Sequence, residues 1–95
     1  VPVERITRSL VDVLAVLVQA HGCDEERHGW ELMRETHLAG PTVYRVLDRL
    51  EETGWITGRW EETNPDPSKP RRRFYRLSEK GLAEARTILL DRSND

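Results

Sequence analysis

The sequence predicts an α+β fold of three helices, a two-stranded hairpin and a short fourth helix. Three observations carry the prediction. Apolar residues in the first half recur at helical spacing, two short β-prone runs flank a proline-rich turn after Gly54, and Ser78 then opens another helical pattern. A chain of 95 residues fits one small domain, residues 1–95, whose modest core would profit from a partner.

Thr7 is placed to cap the first helix, whose main stripe is Leu10, Val13, Leu14 and Leu17, with Ile6 in phase before it. Val11, Val16 and Val18 widen that stripe beyond the needs of one small core, leaving a flank for a second copy of the chain or for the last helix to cover. The expected dimer surface is Leu10, Val11, Leu14 and Val18 with Leu82 and Leu89 of the last helix. The run GCDEER reads as a polar loop. A short second helix then starts at His28 or Gly29 and ends near Glu35, with Trp30, Leu32 and Met33 available for packing.

The third helix is the most sharply divided. Pro41 suits a first helical position and Gly54 the position just past a last turn. Between them Val43, Val46, Leu47 and Leu50 share one face, Tyr44, Arg45, Asp48 and Glu52 point the other way, and Thr42 and Arg49 flank them. WITGRWEE follows as a strand and RRRFYRLS returns as a second. The prolines at 65, 67 and 70 forbid regular pairing through most of the intervening ETNPDPSKP, so the hairpin tip is expected to project and move. In the return strand Tyr75 and Leu77 share one face, and Arg72, Phe74 and Arg76 the other. Ser78 caps a final helix, residues 79–92, with Leu82, Ala85 and Leu89 on its apolar side and Ile88 and Leu90 at the edges. This order of elements describes a winged helix-turn-helix domain.

The formal net charge of −2 argues at first against a nucleic-acid partner, but its distribution argues for one. Residues 1–40 carry 4 basic and 7 acidic side chains, whereas residues 41–81 carry 9 and 7, and residues 82–95 carry 2 and 3. Positive charge is thus concentrated where the third helix and the hairpin lie, as a phosphate-facing surface requires. Thr42, Tyr44 and Arg45 lie near the start of that helix, the end a helix-turn-helix points into the groove, and Arg49 lies a turn beyond. Arg45 suits guanine or a phosphate, and the two hydroxyls suit backbone oxygens. Lys69, Arg71, Arg72 and Arg73 would be the wing's phosphate or minor-groove contacts. The competing assignment pairs Arg45 and Arg49 with Asp48 and Glu52, and the wing cations with Glu61, Glu62 and Asp66, as a surface charge network.

Three stretches resemble the PadR family of bacterial transcriptional regulators, over nearly the whole chain. His28-Gly29-Trp30-Glu31-Leu32 is similar to the family's HGYEL signature, with tryptophan for the usual tyrosine. Gly40-Pro41-Thr42-Val43-Tyr44, with Leu47, Arg49, Leu50, Glu51, Gly54 and Ile56, resembles its third helix and exit, although here a proline separates the glycine from the threonine. Pro70 to Ser78, followed by Gly81, is similar to its basic return strand. The resemblance implies a dimeric repressor, in some cases an activator, on a palindromic double-stranded operator, with release from DNA in some members by a small aromatic effector. Family members usually extend the fourth helix, whereas about fourteen residues follow Gly81 here. Dimerisation would then rest on the first and last helices, and the footing for an effector pocket at the dimer centre is weaker.

The remaining chemistry-bearing residues point to no enzyme. Trp30, Trp55 and Trp60 invite a ligand-stacking assignment, but packing in the core and at the wing root is the commoner use of tryptophan, and Trp30 stands where the resembling family has a structural tyrosine. His21, His28 and His37 have no nucleophile or carboxylate arrangement around them, and His28 is better placed as a hydrogen-bonding residue at a helix start. The lone Cys23 excludes an internal disulfide, and with His21 and His28 it lacks the paired spacing of a zinc site, so no metal or cofactor is expected. No apolar run is long enough to span a bilayer and no secretion signal is recognisable, which predicts a cytoplasmic protein. The alternative to DNA binding is a winged-helix module that binds another protein.

Overall fold

The computed structural model describes residues 5–62, 66 and 68–93. It contains α1 (Arg8–Gly22), β1 (Arg27–His28), α2 (Gly29–Thr36), α3 (Gly40–Glu52), β2 (Ile56–Trp60), β3 (Arg73–Leu77) and α4 (Glu79–Ser93). The α+β winged-helix architecture is the one predicted, with one strand more. β1 pairs antiparallel with β3, giving a three-stranded sheet in the order β1-β3-β2. Two residues carry no readable periodicity, which is why Arg27 read as loop. The strand exists because His28, as N-cap of α2, must be extended (φ −96°, ψ 167°) and so lies flat enough to pair with Phe74.

Each helix boundary has a local cause. Thr7 accepts a hydrogen bond from the Leu10 amide (3.2 Å) and so caps α1. At α2, His28 Nδ1 accepts from the Glu31 amide (3.4 Å) while Glu31 Oε1 accepts from the His28 amide (3.0 Å), a reciprocal capping box. α3 starts one residue earlier than Pro41 suggested; Ala39 offers no side-chain cap, and the fixed φ of the proline supports the first turn instead. Gly54 ends that helix with φ +79°, a conformation costly for any residue bearing a Cβ.

α1 is the centre of the molecule and packs against α2, α3, β3 and α4. Leu10, Val13, Leu14, Leu17, Leu32, Val43, Leu47 and Leu50 are at most 1% exposed, each leucine contributing about 2–3 kcal/mol of transfer free energy. Trp55, Ile56, Tyr75 and Leu77 close the core from the sheet. The strands are shorter than predicted, since the Trp60–Arg73 pair is the last in register. One further bond, from the Glu61 amide to the Arg72 carbonyl (2.9 Å), extends the hairpin towards its tip. The expected projection of that tip concerns residues 63–65 and 67, which lie outside the described residues. At the start of α4 the Ser78 hydroxyl donates to the Gly54 carbonyl (2.6 Å) and accepts from the Gly81 amide (3.0 Å), joining three elements at one side chain.

Candidate nucleic-acid interface

α3 turns Val43, Val46, Leu47 and Leu50 into the core and leaves Tyr44 and Arg45 outside. Tyr44 is 48% exposed, and its ring rests on the backbone of Gly29. A Cβ at Gly29 would collide with the Tyr44 hydroxyl, so the glycine that opens α2 lets the two helices approach. Arg45 is exposed and makes no ion pair or hydrogen bond among the described residues; the alternative pairing of Arg45 and Arg49 with Asp48 and Glu52 is not formed. Thr42 is half-buried. Arg49 does not join Arg45. It is half-buried, and its Nη2 donates to the Arg5 carbonyl (3.1 Å), which turns it towards the segment before α1.

The wing cations divide into two kinds. Arg71 is exposed and unpaired among the described residues, and Lys69 is exposed nearby. Arg72 donates to Glu61 (2.9 Å) and Arg73 to Glu51 of α3 (2.9 Å). The charge network that sequence offered as an alternative is therefore partly formed. The side-chain hydrogen bond from Arg72, followed by its backbone bond, holds the Glu61 carboxyl below its ordinary range. Burial, and then the Glu51 charge, pushes the Tyr75 phenol up, so that its hydroxyl stays neutral beside Arg73. The exposed Arg72–Glu61 pair is readily exchanged for a phosphate, whereas the Arg73–Glu51 pair is partly buried. On the outer face of the sheet Glu26 takes both Arg59 (2.6 Å) and Arg76 (3.9 Å), which ties the loop after α1 to the wing.

An open groove of about 930 Å³ lies among the start of α2, Tyr44 of α3 and the wing. Two of its walls correct the sequence reading: Trp30 and Trp60, assigned to packing, are each 57% exposed, and of the three tryptophans Trp55 alone is buried, at 6%. Trp60 falls on the core-facing side of β2 but past the point where helices lie beneath the sheet. Trp30 lies on the side of α2 away from Leu32, the side chain that reaches the core. Burial propensity by residue type could not distinguish these cases; the Trp30, Arg34 spacing of one helical turn was the available signal.

The apolar flank also needs correction. Leu10 and Leu14 are 0% exposed, consumed by the core of their own chain, and present nothing to a second one. Val11, Val18, Leu82 and Leu89 are half-buried, Val18 and Leu82 packing against the core and Leu90 standing 63% exposed beside them. Among the described residues no His, Cys, Asp and Glu side chains gather as a metal site, and no helix is long and apolar enough to cross a membrane.

The same fold recurs among solved structures. PadR of Bacillus subtilis in complex with operator DNA is 18% identical with a TM-score of 0.72, over 90% of this chain and 48% of that one, so the chain spans about half of that protein. A MarR family regulator from Neisseria meningitidis is 25% identical with a TM-score of 0.67, over 94% of this chain and 56% of that one. A transcriptional regulator from Clostridium thermocellum is 17% identical with a TM-score of 0.69, over 94% and 89%. No curated protein sequence matches at a significant level. These structural likenesses establish the fold, while the family follows from the sequence itself. Residues 13–87 match the Transcriptional regulator PadR-like family, and the chain belongs to it.

Proposed function

We propose that this PadR-like regulator is a cytoplasmic, non-enzymatic protein that binds a palindromic double-stranded operator as a homodimer and represses transcription by occupying it. The observation that carries the reading is the division of α3: four core residues on one side, and on the other an exposed Tyr44 and an Arg45 with no partner among the described residues. A cation left unpaired on a helix that is otherwise fixed is available to a base edge or a phosphate without first breaking a bond. α3 enters the major groove with Thr42, Tyr44 and Arg45 forward, and Arg71 with Lys69 follows the adjacent backbone. Arg72 joins by exchanging Glu61 for phosphate, Arg73 joins with the guanidinium N–H groups that its Glu51 pair leaves over, and Arg49 serves to hold the helix. Two copies join through Val11, Val18, Leu82 and Leu89, which sets the half-sites about one helical turn, roughly 34 Å, apart. The solved complex of Bacillus subtilis PadR with operator DNA supports this reading by its shared fold.

Anisotropy of labelled promoter-proximal duplexes at two salt concentrations tests it. Two chains per duplex, with affinity falling steeply as salt rises, is the expected result. Arg45→Ala should weaken the best site by about 1–3 kcal/mol and flatten its preference over random duplex. Binding that ignores salt, and survives unchanged in both Arg45→Ala and Tyr44→Ala, would defeat the assignment in favour of a protein partner.

A further inference from the structure

Trp30 and Trp60 are exposed in a way that needs an occupant. Tryptophan carries one of the largest apolar surfaces of any side chain, yet each of these leaves more than half of its surface in water. Neither is loose. The Arg34 guanidinium stands 4.7 Å from the Trp30 ring centroid, and Trp30 stacks at 26° on His28, itself fixed as the cap of α2. Trp60 is held by Arg73, 5.2 Å from its ring centroid, and Arg73 is anchored to Glu51 of α3. Both indoles are thus oriented before anything binds, so covering them costs little further side-chain entropy.

The two line one groove, together with Tyr44 of α3, which makes the groove continuous with the helix face assigned to DNA. Lys69, Arg71, Arg72 and Arg73 line it against the carboxylates of Glu61 and Asp66, so the lining carries net positive charge. An occupant must therefore be anionic, present apolar faces to two separated indoles, and run on towards α3. A sugar–phosphate strand has these properties: its phosphates suit Arg71, its deoxyribose faces suit the rings, and each indole N–H is a donor for a phosphate oxygen.

We propose that Trp30 and Trp60 are positioning contacts that grip one strand of the duplex between α2 and the wing, and so fix the depth at which α3 sits. This rests on the DNA-binding reading above and adds to it a pair of aromatic contacts outside α3. Trp55, buried, serves as an internal reporter of folding. Titration of wild type, Trp30→Ala, Trp60→Ala and the double variant with labelled duplex is followed by anisotropy and by indole emission. Each single variant should weaken binding about tenfold, as expected of an aromatic anchor at an interface. Duplex should quench wild-type emission and leave the double variant, which keeps its buried Trp55 emission, unchanged. Duplex affinity and quenching equal to wild type in both single variants would overturn the strand assignment alone. A wild-type protein that binds no duplex would remove the DNA reading and this proposal together. Quenching by benzoate, with duplex affinity unaltered by the substitutions, would make the groove a small-anion pocket and overturn the assignment.

Discussion

Single atoms decide much of this molecule's geometry. Gly81 lies under the Trp55 carbonyl so closely that a Cβ would collide with main chain rather than with a side chain that could turn away. Gly81→Ala should therefore destabilise the fold by about 1–3 kcal/mol, read as a lower denaturant midpoint, because either α4 or the β2 root must shift. A wild-type midpoint would mean that the contact relaxes freely. Gly81 was recognisable in the sequence only as part of a motif; the reason for it is a carbonyl 26 residues away, which no local pattern contains. Arg49 teaches the same lesson from the other side. Spacing placed it at the flank of the reading face, while its donation to the Arg5 carbonyl depends on the path of a segment 44 residues earlier.

At the scale of elements, the wing holds two of its cations, Arg72 and Arg73, in pairs. Glu61 keeps Arg72 occupied, and replacing it with glutamine should tighten duplex binding roughly two- to fivefold by freeing that guanidinium and removing a repelled carboxylate. Unchanged or weaker binding would show that Arg72 stays off the DNA. The pH dependence has a defined sign. Because the pair depresses the Glu61 carboxyl below its ordinary 4.5, its small contribution to stability is present above that value and lost as the pH falls through the depressed one. The same protonation releases Arg72, so Glu61→Gln should reproduce at neutral pH what acid does to the wild type. The helices were legible because a 3.6-residue period over eight or more residues is a strong signal, and α1 and α3 buried the stripes it marked; of the stripe in α4 only Ala85 is buried, with Leu82 and Ile88 packed against the core and Leu89, expected on the apolar side, left off it. β1 was not, since its only cause is the extended cap of the next helix. The exposure of Trp60 was not legible either, because it depends on where neighbouring elements stop.

For the whole molecule, which extends 46 × 26 × 26 Å, the proposed homodimer raises the question of how two copies would meet. Leu89 is half-buried, is not among the residues packed on the core, and stands on α4 beside the exposed Leu90. Leu89→Glu should convert a sedimenting dimer to monomer with little loss of helical signal, and should lower operator affinity far more than affinity for a single half-site. A variant that stays dimeric would place the contact elsewhere. Winged-helix architecture, the polar outer face of α3 and the basic return strand are all legible in the order and spacing of the residues. The division of the apolar flank between core and surface is not, because Leu10 and Val11 look alike until α4 is in place.

The segment before α1 has a different significance. The Arg5 carbonyl receives Arg49 of α3, and the next carbonyl, that of Ile6, receives Arg92 of α4 (3.3 Å). Both acceptors belong to the main chain, which every amino acid supplies alike. The tie is therefore blind to the side chain at position 5, which lies exposed, whereas it depends on the long donor side chains of Arg49 and Arg92. Their restraint comes from a join whose other half is backbone and leaves no mark in the residues it joins.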